Sequence, residues 1–129
     1  MVQNDFKGGR IVTAVTKIDK GWGHELIFAN TEKYCGKLLN FHTGAKFSMH
    51  FHAEKDETWY ILNGLFLLRI LNTTDASEQV QILSAGETWH NPPLCIHQLI
   101  CLEEGTIIEV STADTVSDNY RIYPGDSQK

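Results

Sequence analysis

The sequence predicts an all-β domain closed into a small barrel or jelly roll. Three observations lead there: about ten short segments rich in Val, Ile, Phe, Tyr, Trp and Thr, turn residues at most of the joins between them, and weak helix signals throughout. A chain of 129 residues with so many short strands must hide its sheet edges by closing on itself or by stacking two sheets. The length suits one domain, 1–129, and a hydrophobic fraction of 42% supplies a core.

In chain order the expected strands are Ile11–Thr16, Glu25–Ala29, Tyr34–His42, Lys46–His52, Glu57–Leu62, Leu65–Leu71, Gln79–Leu83, Glu87–His90, Cys95–Leu102 and Thr106–Ser111. Asn63-Gly64, between two apolar runs, reads as a type I′ hairpin turn because both residues accept positive φ. Thr43-Gly44 and Glu103-Glu104-Gly105 read as further hairpin tips, and Ser84-Ala85-Gly86 turns the chain into the next strand. The charge run Glu54-Lys55-Asp56 reads as a solvated turn, and YPGDSQK at the end as a frayed tail.

Composition excludes several classes. The longest apolar run, Leu65–Leu71, is broken by Arg69 and falls far short of the roughly 20 residues that span a bilayer, so no membrane partner is expected. A net charge of −5 with no Lys/Arg cluster argues against nucleic acid. MVQNDFKGGR lacks the apolar region of a secretory signal, which makes a cytoplasmic location the expectation. Cys35, Cys95 and Cys101 are odd in number without CxxC spacing and read as small buried thiols in a reducing compartment.

The chemistry concentrates in GAKFSMHFHAEKDETWYILNG, residues 44–64. On a strand His50 and His52 share one face, with Cα atoms roughly 6.5–7 Å apart, which lets two imidazoles converge on one ion. Lys46 and Ser48 continue that face; Phe47, Met49 and Phe51 form the other. Glu57 opens the next strand, and His97 lies far downstream in the otherwise apolar PPLCIHQLIC. Three imidazole nitrogens and a carboxylate oxygen would suit Zn, Fe, Mn, Co or Ni. A histidine pair alone leaves ordinary core or surface roles open.

The spacing of Gly44, His50, His52, Glu57 and Gly64 matches the first motif of the cupin superfamily, G-x5-H-x-H-x(3,4)-E-x6-G. Gly86, Pro92 and His97 match the second, G-x5-P-x-G-x2-H-x3-N, with Leu94 and Cys101 replacing its glycine and asparagine. The sequence thus resembles a small single-domain cupin, with motifs at 44–64 and 86–101. That resemblance implies a double-stranded β-helix, or jelly-roll cupin barrel, holding one divalent metal ion on His50, His52, Glu57 and His97.

Finer stretches resemble the mannose-6-phosphate isomerase type of cupin domain: KGWGHE (its K-P-W-G-x-E), DETWYILNG (its EHWxVxxG), and IIEVSTADTVSDNYRI, which would align Glu109, Asp118 and Arg121. That family usually has glutamine where His50 stands, so this site is closer to a generic cupin metal site. The implied activity is aldose–ketose isomerisation of a small-molecule sugar or sugar phosphate. Candidates for the base are His42, Tyr60, Glu109 and Lys46; for substrate binding, Arg121, Lys46, Trp59 and His90. The alternatives are a small-molecule dioxygenase with the same 3-His/1-Glu site, or a non-catalytic sugar- or metal-binding cupin. A homodimer is expected, its N-terminal strands Ile11–Thr16 and Glu25–Ala29 pairing with a second barrel.

Overall fold

The structure is a computed structural model and describes Val12 and residues 14–129. Its strands are β1 (Thr16–Lys20), β2 (Gly23–Asn30), β3 (Tyr34–Phe41), β4 (Met49–Phe51), β5 (Glu57–Leu71), β6 (Glu78–Ser84), β7 (Thr88–Asn91), β8 (Ile96–Thr112) and β9 (Tyr120–Tyr123), followed by a short 3-10 helix at Asp126–Gln128. Every strand pairing is antiparallel.

Two long strands, β5 and β8, organise the whole. The first half of β5 and the second half of β8 pair with each other and lie between β7 on one side and β3, β2 and β1 on the other. Their remaining halves pair likewise, between β6 on one side and β4 and β9 on the other. Each long strand therefore serves two sheets, which is the jelly-roll arrangement. One buried cluster draws on both: Leu39, Phe41, Trp59, Ile61 and Ile107 from the first, Phe66, Leu68, Leu83, Leu99 and Cys101 from the second.

The point where the long strands pass from one sheet to the other corrects two expected hairpins. Asn63-Gly64 and Glu103-Glu104-Gly105 are not chain reversals; they lie opposite each other inside β5 and β8, where the register shifts. Gly64 does adopt positive φ (88°), as a type I′ turn would require. Here the reason is a close crossing: a Cβ on Gly64 would stand 2.6 Å from the Cα of Gly105. Four expected strands are consequently two.

Thr43-Gly44 is a turn, but β3 and β4 do not pair across it; both bond to β8 instead. Ser84-Ala85-Gly86 turns the chain as expected. Ile11 and Thr13 of the expected strand Ile11–Thr16 lie outside the described residues, and β1 begins at Thr16.

The tail is tied down rather than frayed. The Lys46 amide donates to Asp126 Oδ2 at 2.9 Å, the Asp126 amide donates back to the Lys46 carbonyl at 2.9 Å, and the Gly21 amide donates to Ser127 Oγ at 3.0 Å. Gly125 lies so close to Phe47 that a Cβ would stand 2.3 Å from its carbonyl carbon. The three cysteines are free. No helix of the described residues is long and apolar enough to cross a membrane.

Candidate metal centre

The inner faces of the two sheets bring the chemistry together. On one, the register aligns Ile27, Lys37, Glu109, Trp59 and Trp89 in a cross-strand row, and Cys35, Ser111, Glu57 and Asn91 in the next. On the other, Arg121, His50, His97 and Ile70 form a row. His52 follows immediately after β4. The histidine rings are close: His50 lies 4.8 Å from His97 and 4.9 Å from His52 between centroids, and His52 lies 6.3 Å from His97.

Each imidazole is oriented by a backbone carbonyl. Nδ1 of His50 bonds to Ser48 O at 2.8 Å, Nδ1 of His97 to Cys95 O at 2.9 Å, and Nδ1 of His52 to Asp118 O. A proton on Nδ1 leaves the Nε2 lone pair free, which is how a ligating histidine is usually held. Burial, reinforced by His97, holds the His50 pKa well below the ordinary imidazole range, and burial lowers that of His97 to about 4. Both are therefore neutral donors at pH 7. The buried Nε2 of His97 has no hydrogen-bond partner.

Glu57 lies across from those nitrogens, its Oε1 at 3.6 Å from His97 Nε2 and its Oε2 at 4.0 Å from His52 Nε2. Two ligands about 2.1 Å from one tetrahedral ion stand roughly 3.4 Å apart. The spacing is slightly wider than that, and among the described residues no group of three or more His, Cys, Asp or Glu is drawn in to a finished coordination sphere. The donor set nevertheless fits a divalent ion: neutral imidazoles, one carboxylate and a stranded Nε2.

Charge supports the fit. Lys55, read from the sequence as solvated, is buried, with Nζ 3.1 Å from Glu57 Oε2, 2.8 Å from Glu109 Oε2 and 3.4 Å from Asp114 Oδ1. Lys37 is also buried and pairs with Asp114 at 2.7 Å and Glu25 at 3.5 Å. Burial works against both ammonium groups, but the surrounding carboxylates outweigh it and raise their pKa values. In this buried network two lysines meet four carboxylates, an excess of acidic groups beside the donor set, while the exposed cations Lys20 and Arg121 also line the cavity. Burial, then the charge of Glu57, pushes the Glu109 carboxyl above its usual range despite both lysines.

Sequence reasoning passed over one support, Asn91, and gave a second, Asp118, only as a matched position without a role. Asn91 is 1% exposed and donates from Nδ2 to Glu57 Oε1 at 3.2 Å, while its own Oδ1 receives Trp89 Nε1 at 2.8 Å. Asp118 gathers the loop before Glu57: its carboxylate accepts the amides of Ala53 at 2.7 Å, Glu54 at 3.2 Å and Lys55 at 2.9 Å. The signal for Asp118 was its place in the isomerase-like stretch. That stretch does converge, since Glu109 and Arg121 line the cavity that Asp118 braces.

The cavity, about 280 Å³, is lined by His50, His52, Glu57, Trp59, Glu109 and Arg121 among others. The remaining sequence candidates lie elsewhere, and strand alternation explains three of them. His42 follows the inward Phe41, Tyr60 lies between the inward Trp59 and Ile61, and His90 between Trp89 and Asn91, so all three face outward and are exposed. His90 bonds to Asp56 instead. Lys46 does not line the cavity; Phe47, expected on the opposite face, takes that side, 5.1 Å from His50 between ring centroids. Regular pairing is confined to Met49–Phe51, with a register shift after Met49, so alternation does not carry back from His50 to Lys46.

Solved structures share this arrangement of strands. KdgF from a Halomonas species superposes with a TM-score of 0.66 at 19% identity, covering 81% of this chain and 90% of that one. An RmlC-like cupin from Shewanella frigidimarina gives 0.65 at 20% identity, covering 81% and 87%. The chain has the cupin fold. Oxalate decarboxylase from Bacillus subtilis matches at 0.67 and 16% identity over 88% of this chain, which spans only 33% of that enzyme. No protein-family model and no curated protein matches the sequence.

Proposed function

We propose that this cupin is a metal-dependent aldose–ketose isomerase of a sugar or sugar phosphate, with one divalent ion (Zn, Fe, Mn, Ni or Co) held by His50, His52, Glu57 and His97. The observation that carries the metal reading is the shared orientation of the imidazoles, each tied through Nδ1 to a carbonyl and left with Nε2 to donate. A bound divalent ion supplies Lewis acidity, polarising the carbonyl and stabilising the charge that develops on oxygen.

Glu109 is the base this reading selects. It is the one sequence candidate for that role on the cavity wall, and burial holds its carboxyl above the usual range, which makes its carboxylate a stronger base. Its carboxylate would take the proton from the carbon beside the carbonyl and return it to the former carbonyl carbon, while the hydroxyl proton on the neighbouring oxygen passes to the former carbonyl oxygen, so the substrate gains and loses nothing overall. Trp59, whose buried Nε1–H has no partner, offers a donor to a substrate oxygen. Arg121 and Lys20 are exposed cations on the lining and would meet a phosphate. We further propose a cytoplasmic location and a homodimer, the dimer supported by the exposed strand β1 and the outward row Leu26, Leu38, Ile108 and Tyr60.

Anaerobic incubation of metal-loaded protein with aldohexoses and their phosphates tests the activity by ketose formation. Glu109→Gln, assayed at saturating metal, should lower kcat about 100-fold or more. Turnover that occurs only with oxygen consumption would replace the isomerase by a dioxygenase; sugar binding without turnover would replace it by a passive module.

A further inference from the structure

Both oxygens of Glu57 already carry a donor from the protein, and the two donors differ in charge. Asn91 Nδ2 on Oε1 is neutral and orients; Lys55 Nζ on Oε2 brings a full positive charge into contact with a candidate ligand. Lys55 cannot withdraw easily. Its side chain is 5% exposed, its amide is fixed to Asp118, and Glu109 and Asp114 hold Nζ from the other side.

We propose that Lys55 is a positioning residue that detunes the metal site, drawing charge out of the Glu57 carboxylate so that the ion is held less tightly and stays more electrophilic. The proposal rests on the metal reading above. A fixed cation at contact distance weakens a carboxylate as a donor and repels a second cation, the more so where water is excluded. Glu109 and Asp114 moderate this by sharing the ammonium.

The sign of the effect separates tuning from mere support. A structural prop, once removed, loosens the site; a detuning charge, once removed, tightens it. Competition between the full-length chain and a chromophoric chelator for Co(II), at fixed pH, reads the affinity, and the visible Co(II) bands report whether the ligand set is intact. Lys55→Met should bind Co(II) about tenfold tighter or more, within the range that outer-shell partners command. Glu109→Gln, which removes the partner at 2.8 Å and leaves more of the ammonium's charge on Glu57, should bind about tenfold weaker. Lys55→Gln carries the same expectation as Lys55→Met should the methionine variant not fold. Lys55 variants that bind equally or more weakly with unchanged bands overturn the proposal, as does a Glu109→Gln that binds as well as wild type. Wild-type protein that takes up no Co(II) overturns the metal reading and this role with it, whereas uptake without the sign reversal overturns this role alone.

Discussion

Replacing Asp118 by alanine should destabilise the protein by about 3–4 kcal/mol. Its carboxylate is the acceptor for the amides of Ala53, Glu54 and Lys55, at 2.7, 3.2 and 2.9 Å. Hydrogen bonds to a charged acceptor contribute about 1.5–3 kcal/mol each, but they share one acceptor and some of the amides regain water, so the loss is below their sum. For a chain of this size the shift in Tm is roughly 10–15 °C. Asp118→Asn keeps one acceptor oxygen and should lose about half as much. The pH dependence has a defined sign. Burial alone would raise the Asp118 pKa, but the three amides outweigh it and hold the carboxyl below its ordinary value. A depressed folded-state pKa contributes stability that is complete above the unfolded value of about 3.9 and is lost as pH falls through the folded one. The difference between wild type and Asp118→Asn should therefore be constant near neutrality and shrink below about pH 4. Thermal unfolding followed by circular dichroism at a series of pH values measures both. An alanine variant within about 0.5 kcal/mol of wild type would refute the clamp.

Other substitutions probe the frame of the site. Leu94 holds φ of 71° in the turn where the cupin pattern has glycine, and its amide bonds to His52 O; Leu94→Gly should raise stability by about 0.5–1 kcal/mol in urea titration, and a loss would mean the side chain packs usefully. Gly64→Ala forces a Cβ to within 2.6 Å of Gly105 at a φ of 88°, and should cost about 3 kcal/mol or more, a cost that a surface hairpin would not impose. Asp126→Ala removes the acceptor for the Lys46 amide and should lower stability by about 1–2 kcal/mol; no change would return the tail to the frayed state expected from sequence.

What was legible in the sequence is what spacing alone encodes. His50, His52, Glu57 and His97 stand in motif positions; the first three line one cavity and His97 packs directly behind them, paired with His50 in register, because strand alternation and antiparallel register are short-range rules. Gly64 was read correctly as a residue needing positive φ and wrongly as a hairpin, because a tight turn and a close crossing make the same demand on glycine; the deciding neighbour, Gly105, is forty-one positions away. Lys55 misled for a similar reason. Beside Glu54 and Asp56 it looks solvated, and its burial depends on Glu109 and Asp114, which only the fold brings near. Alternation also sorted the base candidates, turning His42 and Tyr60 outward and Glu109 inward.

Metal content of protein purified without added metal, beside that of His97→Ala, tests the central claim most directly. About one equivalent of a divalent transition metal in wild type, falling below about a tenth in the variant, is the result expected of a four-ligand site that loses an imidazole. Equal metal in both proteins, or none in wild type even after incubation with Zn or Co, would contradict it.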